Sequence, residues 1–152
     1  MNGSDVLRTG FGFSHQVLES VIRDLDPETL HAQLPRAMIG SVAAIYAHAV
    51  FAEDLFVQRS AHGKEPVHVS GGWSGRTGVQ LPASPMQSPA WDTVVRIDDL
   101  VGFRAYAKAV YGATDEYVAE LKEADLDRPF DAGQRGTIPL GSNASPASAS
   151  VT

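Results

Sequence analysis

The sequence predicts an all-α fold, an up-and-down helical bundle, and three observations carry that prediction. Apolar residues recur at three- and four-residue steps over three stretches of roughly twenty residues each. No stretch shows the apolar–polar alternation of a half-buried strand. Proline and glycine gather mainly between the three stretches, where the chain has to turn. At 152 residues the chain is long enough for one domain around one core, and it contains no internal repeat.

The first helix is expected over residues 5–25. Leu7, Phe11, Leu18, Ile22 and Leu25 fall on one face, and Val17 and Val21 widen it. Gly10 and Gly12 weaken its first half. Asp26-Pro27-Glu28 then reads as an N-cap followed by proline at the first helical position, opening a short helical turn that Pro35 closes. The second long helix is capped by Ser41 and runs to about Ser60, with Gly63 as its stop signal. Ile45, His48, Ala52, Leu55 and Phe56 share a face. Ala43, Ala44, Ala47 and Ala49 favour helix and let a neighbour approach closely.

Residues 63–90 form a long connection with Gly71-Gly72, Gly75, Gly78 and four prolines, in which Trp73 is the expected anchor onto the bundle. The third long helix starts near Asp98 or Asp99 and ends near Ala124. Its stripe is Leu100, Phe103, Ala107, Val110, Thr114, Tyr117 and Leu121. Tyr106, Tyr111 and Tyr117 read as core or groove lining. Residues 125–141 form another connection. The last stretch, 142–152, is rich in serine and alanine and has almost nothing to bury, so it is expected to be a disordered tail after a domain spanning 1–141. A fourth helix would normally close such a bundle, and nothing after residue 124 has helical periodicity.

Net charge is −6 and the sequence pI is about 5.2. An acidic chain offers no footprint for nucleic acid or for an anionic membrane surface. The longest nearly apolar stretch, 42–52, is about half of what spans a bilayer. With no cysteine, a disulfide framework, a thiolate-held metal and a cysteine nucleophile are all excluded. Any metal has to use His, Asp, Glu or water. The opening residues lack a signal-peptide pattern, so a cytoplasmic location is expected.

The second helix, from Ile39-Gly40-Ser41 through His48 to Glu53-Asp54-Leu55, resembles that of DinB/YfiT-like proteins. There a Ser- or Thr-capped helix carries a histidine about seven residues in, and an acidic pair follows. Residues 24–30, 106–111, 127–130 and 136–141 resemble further parts of the family in the expected order, so the likeness covers about residues 5–141. The resemblance implies a four-helix bundle, here lacking its fourth helix. It also implies a divalent metal, zinc or nickel, held by three histidines. His48 matches the ligand of the second helix. The other two ligands come from a histidine pair on the family's fourth helix, and relatives include thiol S-transferases and thiol-dependent isomerases.

The chain departs from that pattern in its histidines. All five, His15, His31, His48, His62 and His68, lie in the first 68 residues, and none is spaced His-x3-His. The abrupt change near Gly141 is what a lost reading frame or an alternative end would produce. One imidazole cannot hold zinc, since catalytic zinc sites supply three protein ligands. A histidine on an apolar helix face is more often a bonded core residue than a ligand. His15 lies off its helix's main stripe and is expected to face solvent or sit at a helix boundary. His62 suits a helix C-terminus, and His31 and His68 fall in connections. Glu53 and Asp54 are off the face of His48; Glu53 is expected to pair with a cation or cap a loop. The stretch Gly71–Gly78 lacks the strand and the Gly-Lys-Ser/Thr ending of a phosphate loop.

Two functions compete on this basis. One is a DinB-like metal-dependent enzyme of thiol S-transferase, isomerase or hydrolase type, using a small-molecule thiol and left incomplete by its ligand set. The other is a non-catalytic bundle that works through homo- or hetero-association, with a homodimer as the expected form. The first is the leading expectation; three helices without a fourth leave apolar faces exposed, and such patches drive dimerisation or aggregation.

Overall fold

The computed structural model describes residues 2–35, 40–73, 75–79 and 95–127. It is all-α, as expected. The elements are α1 (Gly3–Ile22), α2 (Pro27–His31), α3 (Val42–Glu53), α4 (Val67–Ser70), α5 (Leu100–Glu120) and α6 (Glu123–Leu126). Helix α3 continues without a break as a π-helix over Asp54–His62. Among the described residues no strand forms; Val79 and Ile97 make one isolated antiparallel bridge. No helix of these residues is long and apolar enough to cross a membrane. Residues 74 and 80–90 of the long Gly/Pro-rich loop, the expected break at residue 141, the expected lack of a fourth helix and the expected tail over 142–152 lie outside the described residues.

The helix starts follow local chemistry. Asn2 caps α1 by accepting from the Asp5 amide, and the Asp5 side chain accepts from the Asn2 amide in return. Asp26 accepts from the Thr29 amide at 2.8 Å, with Pro27 opening α2. Ser41 caps α3 through the Ala44 amide at 3.1 Å, and Asp99 caps α5 through the Gly102 amide at 2.9 Å. Each such cap contributes about 1 kcal/mol. The π-helix stops at Gly63, which takes the left-handed conformation (φ 74°) that a side chain would resist. The long connection is not wholly irregular, because Val67–Ser70 winds one helical turn inside it.

Helix α5 is central. It packs against α1 along its length and also against the π-segment, α3 and α4. Its buried residues, Phe103, Tyr106, Ala107, Val110, Thr114 and Val118, follow the expected stripe. Helix α3 is rotated from its expected orientation. Its buried residues are Ala43, Ala44, Tyr46, Ala47 and Val50, whereas Ile45 and Phe56 are exposed. The alanines face inward because their small side chains let α3 approach α5. Tyr46, Phe51, Phe103 and Tyr106 fill the space beyond, with Tyr46 edge-on to Phe103 at 5.0 Å. Full burial of such side chains is worth about 1.5–3 kcal/mol each. Trp73 packs on this cluster 5.9 Å from Tyr106, so it is the loop anchor that its position among the glycines predicted.

Helix α1 turns Ile22 fully and Leu18 partly inward. Its opposite face leaves Val6, Phe13, Val17 and Val21 exposed, Phe13 by 67% and Val21 by 56%. These four recur at steps of seven, four and four, so they form a continuous apolar stripe on the outside. Val17 and Val21, expected to widen the buried face, therefore lie on the outer one.

Candidate functional site

Three carboxylates sit at the junction of the long helices, and each gathers hydrogen bonds from other elements. Glu19 of α1 accepts from the Tyr46 hydroxyl at 2.5 Å, the Arg104 Nε at 3.0 Å and the Tyr111 hydroxyl at 3.3 Å. Glu53, at the end of α3, takes the His15 Nε2 at 2.9 and 3.0 Å and the Thr114 hydroxyl at 2.6 Å. Asp54, only 1% exposed, accepts from the Tyr106 hydroxyl at 2.7 Å and from the amides of Val67 and His68 at 2.7 and 2.9 Å. Buried charge is costly unless it is fully bonded, and these bonds are the compensation. Through them α1, α3, α4 and α5 are fixed to one another by polar contacts.

The tyrosines respond to this setting. Burial, and then the neighbouring Glu19, pushes the Tyr46 hydroxyl far above its usual range. Burial followed by Asp54 does the same to Tyr106, and burial followed by Glu19 and Glu53 to Tyr111. All three are therefore proton donors at any ordinary pH, which is the role that their carboxylate partners require. His68, half-buried between Phe51 and Tyr106 at 5.2 and 5.7 Å, is shifted downward by burial, with Asp54 opposing the shift.

The five histidines are all among the described residues, and they are dispersed. His48 is half-buried on α3, between the inward-facing Ala47 and Val50. His15 is not solvent-facing as its offset from the α1 stripe suggested. Its side chain is 15% exposed, bonded to Glu53 and stacked on Tyr111 with ring centroids 3.8 Å apart. His31 lies between the Pro27 carbonyl at 2.8 Å from Nδ1 and the Ile97 amide, which donates to Nε2 at 3.1 Å. His62 rests against Tyr117 in the last turn of the π-helix. Glu53 does pair with a cation-capable group, as expected, but across the bundle.

A three-histidine metal site asks for donors converging on one point. Among the described residues no group of three His, Asp or Glu side chains could hold an ion. Since every histidine of the chain lies among those residues, its own imidazoles do not fit a three-histidine centre. Glu53 is already engaged by His15 Nε2 and by the Thr114 hydroxyl.

The helical order and the capped α3 with its His48 and acidic pair agree with one family. The profile described as the DinB superfamily matches residues 11–144. The chain belongs to the DinB superfamily. No curated protein matches it. Within this DinB chain, sequence reasoning singled out Glu53 and Asp54 but passed over Glu19, Tyr46 and Tyr111 as site residues. The available signal was an acidic residue between the inward Leu18 and Ile22, which no apolar stripe tolerates without partners.

Proposed function

We propose that this DinB-superfamily protein acts as a helical bundle through association with a second copy of itself, and that its own histidines do not hold a divalent metal. The donor set carries the proposal: five histidines dispersed over the fold and no convergent trio among the described residues. The exposed stripe Val6, Phe13, Val17 and Val21 supplies the face on which a homodimer, or a different helical partner, would bury apolar surface.

A second function, that of a divalent-metal-dependent thiol S-transferase, isomerase or hydrolase, is favoured by the place of His48. It lies half-buried on the capped helix at the position that matches the family's ligand. Zinc or nickel bound there would need donors from outside the histidines of one chain. Such a metal supplies Lewis acidity that lowers the pKa of a coordinated thiol or water. The small-molecule thiol belongs to this second function.

Elemental analysis of untagged protein, combined with light scattering, separates the two. Association predicts a dimer with substoichiometric metal, and Phe13→Glu with Val17→Glu is expected to give monomers. One tightly held zinc or nickel per chain, lost in His48→Ala, would overturn the first function in favour of the second.

A further inference from the structure

Between α1 and α5 lies a half-open cavity of about 350 Å³, close to the lower limit for small-molecule sites of roughly 300 Å³. His48 is not among its lining residues. Two glycines that nothing else in the fold requires line the cavity. Gly12 and Gly112 occupy helix interiors, where glycine costs about 1 kcal/mol relative to alanine. Neither has a positive φ, and a Cβ at either would meet nothing within 4 Å. They are therefore demanded neither by a turn nor by close helix packing. They leave room.

The walls of that room are chemically distinct. His15 lines it, and both oxygens of Glu53 lie at its Nε2. A carboxylate only accepts, so Nε2 carries the proton and, in the neutral ring, Nδ1 is left as an acceptor. Among the described residues Nδ1 has no hydrogen-bond partner. The ring cannot turn away, since it is stacked on Tyr111 at 3.8 Å and tilted against Phe11 at 5.9 Å. Arg8 is paired with Asp115 at 2.6 and 2.8 Å and the two cancel. Lys108, also lining the cavity, has no ion-pair partner among the described residues. The cavity thus presents one ammonium without a direct ion pair, one acceptor in the neutral His15 ring and aromatic surface.

We propose that this groove binds a small aromatic hydroxy acid, its carboxylate on Lys108, its hydroxyl donating to His15 Nδ1, and its ring beside Phe11 in the space left by Gly12 and Gly112. Glu53 acts here as a positioning residue, because it fixes which nitrogen of His15 is the acceptor.

The test uses the full chain and 3-hydroxybenzoate, with 3-hydroxybenzyl alcohol as the uncharged control. The readout is the imidazole ¹⁵N resonance of His15, assigned by its loss in His15→Gln. Hydroxybenzoate is expected to move the Nδ1 signal saturably, and removing the ligand's charge or making Lys108→Gln should weaken binding about tenfold, as loss of a charge-assisted contact does. Gly112→Leu and, independently, Gly12→Leu should each abolish the shift while helical circular dichroism is retained. Both place a helix-favouring residue in open space, so loss of fold is not the expected result. No saturable shift of His15 overturns the proposal. So does a shift that survives both leucine variants, and so does equal binding of the alcohol, which would remove the anion from the ligand class.

Discussion

Glu19, Glu53 and Asp54 are each carried into the bundle by the apolar residues beside them, and each then has to be satisfied there. Asp54 is the most enclosed. Its Tyr106 bond is one of three to a single buried carboxylate, and hydrogen bonds to charged groups are worth about 1.5–3 kcal/mol. Tyr106→Phe keeps the ring and removes only that bond, so urea unfolding should show a loss of about that size with an unchanged m-value. The same arrangement governs alkaline behaviour. Tyr46, Tyr106 and Tyr111 have hydroxyls shifted up in the folded state, so their neutral form is favoured by folding. Their contribution is complete below the unfolded tyrosine value of about 10 and is lost as pH rises beyond it. Absorbance titration at the phenolate band should therefore show Tyr46, Tyr106 and Tyr111 ionising together with the loss of helical signal.

At the scale of elements, the glycines of α1 are open to direct measurement. Gly10 sits in an exposed helix interior, and a Cβ there meets nothing within 4 Å. Gly10→Ala is expected to stabilise by about 0.5–1 kcal/mol, read from the thermal midpoint. Element positions were legible in the sequence where caps and stops are local chemistry: Ser41, Asp26-Pro27, Asp99 and Gly63 mark real ends. The face of α3 was not. Ile45, Leu55 and Phe56 outweigh alanine in hydrophobicity, yet it is the alanines that admit α5, and close approach is a property of the pair of helices. His15 was misplaced for the same reason. Its partner Glu53 lies 38 residues away, and nothing in the spacing of α1 announces it.

For the whole molecule, the outward stripe of α1 couples stability to concentration. If the folded chain pairs through Val6, Phe13, Val17 and Val21, mass action stabilises it as the protein becomes more concentrated. The thermal midpoint should then rise across a hundredfold concentration series, and the double glutamate variant at Phe13 and Val17 should remove the dependence. A midpoint independent of concentration in the parent chain would argue against pairing. Helix α1 is otherwise held by α5 and by the two polar links Glu19–Tyr46 and His15–Glu53 to α3. Loosening the pairing face should therefore leave the inner contacts of the bundle intact.

The wide winding of residues 54–62 leaves slack in the backbone. Its hydrogen bonds reach back five positions instead of four. Excising one residue there, Ala61 for instance, shortens each bridged interval to the ordinary reach. The cut would tighten the coil ahead of Gly63 and spare Asp54 its place. An equal excision within α1 has no such reserve and would rotate every residue beyond it by about 100°. Paired single-residue deletions, compared by thermal midpoint, should find the wide coil the more forgiving of the two.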